Sequence, residues 1–506
     1  MAPRSRGEVD VAVVGAGNAA LCAALAARQR GARVLVLEKA AREERGGNTF
    51  FTGGGFRFPY RGIDDIRALI PDLSDEEVAG IDVGAYPEPE MRSDLMRVTE
   101  GLADPGLVDR LVGTAYDTVR WMRERNGLRW VLMYGRQAYR VEGKLRFWGG
   151  MVMEAVGGGA GLSDALFEAA EGQGVGVRYG TKAVSLLTDE RAAVVGLRVR
   201  DDQGLGEVAA RAVVIAAGGF EANTEMRTRY LGPGWELAKV RGTRHNTGDG
   251  IRMALDIGAQ PYGHWSSAHA VAWDLNAPPT GNRRIGDLYQ KHSYPLGLIV
   301  NLRGERFVDE GADLRNYTYA KYGREILGQP QGVAFQLFDQ QTVAMLRDEY
   351  RIREVTKGEA GTIGELADQL GIDRAGLERT VAAYNAACRP GRFNPAERDG
   401  LHTEGIDPPK SNWALPLTQP PYVGYAVTCG ITFTFGGLRI VPATSQVLDT
   451  EDRPIAGLYA AGELVGGLFF HNYAGGSGLM AGAVFGRTAG GAAAEAAMAG
   501  PGERRG

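Results

Sequence analysis

Asp10-Val11-Ala12-Val13-Val14-Gly15-Ala16-Gly17-Asn18-Ala19-Ala20 opens this chain, and Glu38 closes a second apolar run that begins at Arg33. Val11–Val14 is a short unbroken apolar run, as expected for a strand buried on both faces of a parallel sheet. Gly15 allows a tight turn, Gly17 lets backbone approach a pyrophosphate, and Ala20 stands for the third small residue where helix and strand pack closely. A helix over Asn18–Gln29 would aim its N-terminal amides at the phosphates. Glu38 lies 21 residues after Gly17, where a carboxylate can accept hydrogen bonds from ribose hydroxyls. Strand, turn, helix and acid together imply a bound dinucleotide. An ordinary glycine turn after a buried strand would not require the acid.

The bulk numbers narrow the class. At 506 residues the chain has room for two to four domains. A net charge of −4 leaves no nucleic-acid footprint. Apolar runs are too short for a transmembrane segment, and Val11–Val14 lacks a signal peptide's longer core and cleavage site. These features place the chain in the cytoplasm, free or at the inner face of the membrane. Cys22, Cys388 and Cys429 make no metal, haem or cluster spacing, so redox chemistry would need a separate electron acceptor. Gly, at 74 residues, gathers in loops after apolar strands: Ala212–Phe220, Gly457–Glu463 and Asn472–Leu479. A chain that returns to its cofactor from the far C-terminus is typical of FAD-binding proteins.

Between those loops, residues 263–429 hold more aromatic, His and Arg residues, and Leu377, Val381, Tyr384 and Cys388 share a helical face within Arg374–Cys388. The expected fold is therefore α/β. A Rossmann-like FAD domain from two segments, 8–262 and 430–499, would carry an inserted α+β capping domain, 263–429. The acidic stretch Ile63–Met91 reads as a surface lid or loop. Four of the six histidines, His245, His264, His269 and His292, fall within 48 residues, and His471 sits in the late loop. His269, His292 and His471 are the candidate ligands, with His245 and His264 left open. Arg283, Arg284 and Lys291 could bind a polyanion or line a solvated loop.

Four segments in order, GAGNAA…LEK, GGNTFFTGGG, VVIAAGGFEAN and GLYAAGELVGG, together with LIVNLRGERFVDE (Leu298–Glu310), resemble the flavoprotein family of fumarate reductases, succinate dehydrogenases and 3-ketosteroid dehydrogenases. QKHSYP (Gln290–Pro295), RFVDEGADLRNYTYAKYGR (Arg306–Arg324) and TCGITFTFGG (Thr428–Gly437) are similar to its tricarballylate dehydrogenases. The resemblance implies FAD held by Gly15, Gly17, Asn18, Ala19, Ala20, Glu38, Lys39, Gly47, Asn48, Thr49, Gly53, Gly54, Val184, Ala217, Gly218, Asp249, Glu463, Ser477, Gly478 and Leu479. The Ser477–Leu479 amides would face the flavin pyrimidine. It also implies oxidation of tricarballylate, or a similar polycarboxylate, to cis-aconitate, with hydride passing to flavin N5. Electrons would leave to a separate acceptor, a membrane iron–sulfur or haem protein being one candidate. Alternatives are desaturation or ene reduction of a fumarate-like acid, a ketosteroid-like ketone or a biosynthetic intermediate, and a flavin subunit like that of a precorrin-3B synthase.

The resemblance also assigns roles. Arg315, nine residues after Arg306 and with one residue's slippage, matches the arginine that protonates substrate in fumarate reductases. A guanidinium stays charged in ordinary surroundings, so this role needs neighbours such as Asp313 or Glu310. The alternative is a salt bridge to one of them. His269 matches a substrate-binding histidine, with His292 a second catalytic candidate. A later histidine and the carboxylate-clamping arginine of the family are replaced, leaving Thr432, Tyr473 and His471, with Gln290, as expected substrate contacts. Asn48 stands where the succinate dehydrogenase branch links flavin to histidine. An amide cannot form that bond, so acid precipitation should release the yellow chromophore into the supernatant, and flavin retained in the pellet would refute the alignment at Asn48.

Overall fold

A computed structural model describes residues 4–499. The strand Arg4–Val14 lies between Val34–Leu37 and Gly204–Ile215, parallel to both, in an eight-stranded sheet. Gly176–Arg178 extends one edge in parallel, and Pro454–Ala460 returns from the C-terminal part of the chain to pair with Gly204–Ile215. Val11, Ala12 and Val13 are fully buried, as the apolar run requires. The helix Asn18–Gln29 begins and ends where the sequence places it. The α/β expectation holds, and Val34–Leu37 is shorter by one residue at each end than the run read from sequence.

The last helix, Ser477–Met498, packs along Asn18–Gln29 on a ridge of glycines. A methyl at Gly486 would run into the carbonyl of Ala19, and one at Gly490 into the carbonyl of Ala23. Asn18 Nδ2 donates to the Leu479 carbonyl at 2.8 Å, tying the two helix starts together. This close approach holds the C-terminal loop over the dinucleotide turn.

A second, six-stranded sheet is built on two long antiparallel strands, Pro261–Asp274 and Tyr422–Leu438, with Ala334–Phe338 and Leu298–Asn301 beyond them. The expected domain junctions after residues 262 and 429 fall inside these two strands, so a continuous sheet joins the regions. Helices Ile363–Leu370 and Arg374–Ala387 close the outer face over a satellite core containing Leu366, Leu377, Val381 and Tyr384.

The Ile63–Met91 stretch is not a surface lid. Ile66, Leu69, Tyr86 and Met91 are buried in the main core. Tyr86 Oη accepts from buried Arg57 at 2.8 Å, and Arg57 Nε donates to the Gly475 carbonyl at 2.7 Å. Its acidic residues mark only the outer face of a segment that anchors the late glycine loop.

The glycine ridge has a testable sign. In an exposed helix Gly→Ala stabilises by up to about 1 kcal/mol, and Gly113, exposed with open space around it in the helix Pro105–Asn126, should behave so. At Gly490 the same change meets backbone and should cost roughly 1–3 kcal/mol. Thermal unfolding of the two variants checks the pair. Equal shifts would mean that the helices can separate freely.

Candidate active site

One extended cavity runs from the dinucleotide turn to the second sheet. At one end Gly15 sits at φ +99°, where a Cβ would strike the Ala216 carbonyl. No side chain caps the helix from Gly17; the Asn18 amide is taken by Thr49 Oγ1 at 2.9 Å, which leaves the next amides of the first turn to meet an anion. The nearest atom to a Cβ at Gly17 would be Thr49 Oγ1, at 3.4 Å. Glu38 lines the wall, where it accepts from the Ala40 amide at 2.7 Å. Burial raises its carboxyl above the ordinary range, while the Ala40 amide works against that rise. Asp249 ties Lys39 (2.7 Å) and Lys182 (2.9 Å) together beside it. Open helix amides, an acceptor carboxylate and an extended cavity suit FAD. Bound there, it would be held by the turn Gly15–Ala19, Glu38, Gly47–Thr49, Gly53–Gly54, Ala217–Gly218, Glu463 and Gly478–Leu479.

The other end is cationic and aromatic. The register of Pro261–Asp274 against Tyr422–Leu438 shifts between His264 and Ala268 and again between His269 and Ala270. Such bulges re-aim side chains, and His269 lines the cavity. Its ring stacks on Phe433 at 5.1 Å and meets the edges of Tyr319 (5.0 Å) and Tyr473 (4.9 Å). Both its nitrogens, Nε2 of His292 and Nε of Arg315 are buried without a protein partner. Burial holds both imidazoles well below their ordinary pKa, with Arg241 adding to the effect at His269 and Arg315 at His292. They are neutral, so the positive charge at this end comes from arginines.

Arg241 grips Asp287 through Nε (2.9 Å) and an Nη (2.6 Å), and also reaches Gln290 Oε1 (3.1 Å) and Thr432 Oγ1 (3.2 Å). Arg136 binds the other Asp287 oxygen at 2.9 Å. Arg315 has no such carboxylate. Glu310 is committed to Arg306 at 2.5 Å, and Asp313 to Arg97 at 2.6 Å. Arg315 instead lies over the rings of Tyr319 and Trp148, 5.2 and 5.5 Å from their centroids. Burial, reinforced by Arg347, lowers its pKa to about 9. A guanidinium so depressed can exchange a proton at mildly alkaline pH.

The cavity gathers Arg315, His269, His292, Tyr473, Thr432 and Gln290, and four sequence assignments need correction. His471 lies outside the cavity lining and stacks edge-on against His264 at 4.4 Å, its amide bonded to that ring at 3.0 Å. Its backbone, at φ +56°, turns there, and Tyr473 faces the site. Thr181, Lys182 and Ala183 line the cavity and Val184 does not; the strand is irregular between Ala183 and Ser185. Ala20 is wholly buried beneath the turn. Ser477 is also buried, its amide bonded to the Ala474 carbonyl at 3.1 Å, while the Gly478 amide reaches Tyr473 Oη at 3.3 Å. Two of the three amides expected to face the flavin are thus already engaged.

Arg283 caps the Arg45 carbonyl, Arg284 is exposed near Glu354, and Lys291 is buried against Asp274 and the Glu349 carbonyl. None of the three lines the cavity. Besides Arg315, the arginines that line it, Arg136 and Arg241, lie in segments with no motif and come together on Asp287.

The FAD binding domain family matches residues 10–479. The chain is 31% identical to a probable fumarate reductase of Shewanella frigidimarina, over 97% of this chain and 75% of that one. It is 30% identical to a urocanate reductase of Eggerthella lenta, over 96% and 75% respectively. The open form of a flavocytochrome c3 fumarate reductase superposes with a TM-score of 0.72 at 28% identity, covering 98% of this chain and 79% of that one. With a cavity shaped for an extended dinucleotide and a reactive end of arginine, histidine and tyrosine, the chain belongs to the FAD binding domain family and is an FAD-dependent oxidoreductase acting on CH–CH bonds.

Proposed function

We propose that the enzyme oxidises a CH–CH bond of a small polycarboxylate, tricarballylate or a close relative, to the alkene, and passes the electrons to a separate acceptor. The observation that carries this reading is the surplus of buried positive charge at the reactive end. Arg136 and Arg241 both hydrogen-bond to Asp287, and Arg315 and Arg347 repel each other, so that four arginines face the carboxylates of Asp287 and the more distant Glu349. A buried charge without a partner is costly, and an anionic substrate offsets that cost with charge-assisted hydrogen bonds.

FAD, when bound, supplies the acceptor for a hydride from one substrate carbon. The protein supplies the rest. Arg241, oriented by Asp287, and Thr432 receive a substrate carboxylate, while His269 and His292 offer neutral hydrogen-bonding groups. Arg315 in its neutral form takes the proton from the adjacent carbon and carries it as guanidinium. Phe433, Tyr319 and Tyr473 keep water from the reacting carbons.

A specific feature supports a second reading. Tyr473 Oη accepts from the Gly476 amide at 2.9 Å and the Gly478 amide at 3.3 Å, and lies within bonding reach of Tyr319. Such a phenol could polarise the carbonyl of a ketone substrate.

Dye reduction by the purified holoenzyme with a panel of tricarboxylates, dicarboxylates and a steroid ketone separates the two. Turnover with tricarballylate is expected to exceed that with any ketone, and the opposite order would end the polycarboxylate reading. Arg315→Ala should retain FAD and lose about 10²–10⁴-fold in turnover. Arg315→Lys should not rescue it, because an ammonium does not reproduce the guanidinium fork. More than about a tenth of wild-type turnover in either variant, above the range for a lost acid–base group, would make Arg315 structural.

The oxidation has a pH signature. Because neutral Arg315 is the base, kcat/KM should rise with pH through about 9, the free-enzyme value. Arg347→Gln removes the like charge, raises the Arg315 pKa and should move this limb to higher pH. An unmoved limb would assign the proton to another group.

A further inference from the structure

Two carboxyls, Glu463 on the cavity wall and Glu221 buried behind it, carry no proton in the mechanism above. Glu221 follows the Ala212–Phe220 strand and loop and is completely buried. Its Oε1 accepts from the side-chain amides of Asn48 and Asn246, both at 2.6 Å. Its Oε2 is buried and has no donor. Glu463, from the loop after Pro454–Ala460, lines the cavity and accepts the Thr434 amide at 2.9 Å and Thr434 Oγ1 at 3.3 Å. The same Asn246 amide reaches Glu463 Oε2 at 3.3 Å. The two carboxyls thus meet at one amide, Asn246 Nδ2, which donates to both, and each feels the other's charge; a direct bond between them requires one to carry a proton.

Compensating charge is scarce. Arg227 is a cation whose field reaches Glu221, but its guanidinium donates to the Ala238 carbonyl at 2.8 Å and the Glu236 carbonyl at 3.1 Å rather than to the carboxyl. Cys429, which also faces Arg227, is a neutral thiol, pushed up to about 12 by burial. Glu463 faces Glu221 and the neutral donors of Thr434, Gly219 and Asn246. Two carboxylates so placed do not both ionise. Burial raises both acids, and their mutual repulsion raises Glu221 furthest from its ordinary range.

The pair is wired to both ends of the site. Asn48 donates to Glu221 and, at 2.8 Å, to the Thr432 carbonyl, while Thr432 Oγ1 accepts from Arg241. We propose that Glu221 and Glu463 share one proton and take up a second when the cofactor is reduced, so that they serve as a redox-linked proton site on the cavity wall. Oxidation of substrate delivers a hydride to the cofactor and a proton to Arg315. Reduction of bound FAD would add negative charge to the cavity that Glu463 lines, and a proton from solvent would then neutralise the remaining carboxylate. Reoxidation by the acceptor returns that proton. The inference rests on the bound FAD alone and holds for any substrate.

The test is proton uptake during stoichiometric dithionite-free photoreduction of the holoenzyme, followed with an indicator dye in weakly buffered solution. Wild type should bind roughly one proton more per two electrons than Glu221→Gln, whose amide keeps the acceptor for Asn48 and donates to Glu463 in place of the shared proton. The variant should hold one protonation state across neutral pH, so its flavin potential should vary less steeply with pH. Equal uptake and equal slopes would overturn the proposal. Should the variant fail to fold, the wild-type reduced-minus-oxidised infrared difference spectrum decides: a protonated-carboxyl carbonyl band should grow on reduction, and an unchanged band there would equally refute it.

Discussion

Unbalanced positive charge in a buried site is the constraint on which the reactive end depends. Moving an ion from water into a protein interior costs several kcal/mol even after relaxation. Asp287 meets that cost for Arg136 and Arg241 through bonds of 2.6–2.9 Å. Arg315 has no equivalent partner and gives way in its pKa instead, down to about 9. The two solutions divide the labour. Paired arginines stay charged and can orient a substrate, while the unpaired one can gain and lose a proton.

The surroundings keep this division intact. His269 and His292 are held neutral by burial and the neighbouring arginines, so they add donors and acceptors without adding charge. Aromatic rings from three separate segments, Tyr319, Phe433 and Tyr473, pack around His269 at 4.9–5.1 Å. Buried Arg57 fixes the late glycine loop through the Gly475 carbonyl. The glycine ridge of the last helix holds that loop over the first. The cofactor end and the reactive end are therefore parts of one packed unit.

Legibility from sequence followed the range of the interactions. The dinucleotide turn is local: Gly15, Gly17 and Glu38 are set by a strand, a turn and a helix within thirty residues, and the helix bounds were met. Arg315, His269 and His292 could be placed through segments resembling a known family. Arg136, Arg241 and Asp287 could not, because nothing local marks a residue whose partner lies 46 or 151 positions away. Glu310 and Asp313 are adjacent to Arg315 in sequence but serve Arg306 and Arg97. Val184 was misplaced by one residue at an irregular stretch of strand, and His471 by a backbone turn that carries it away from Tyr473. The acidic run Ile63–Met91 concealed buried residues at helical and turn positions between its charges.

If the cavity is deficient in negative charge, a polycarboxylate should restore the missing partner of Arg315 on binding, before any chemistry. The most direct measurement is calorimetric titration of the oxidised holoenzyme with cis-aconitate near pH 9, in two buffers of different ionisation enthalpy. The account expects binding accompanied by net proton uptake, because the trianion raises the Arg315 pKa and the guanidinium regains its proton. Uptake should vanish in Arg315→Ala. Failure to bind, or binding with no difference between the buffers, would contradict it.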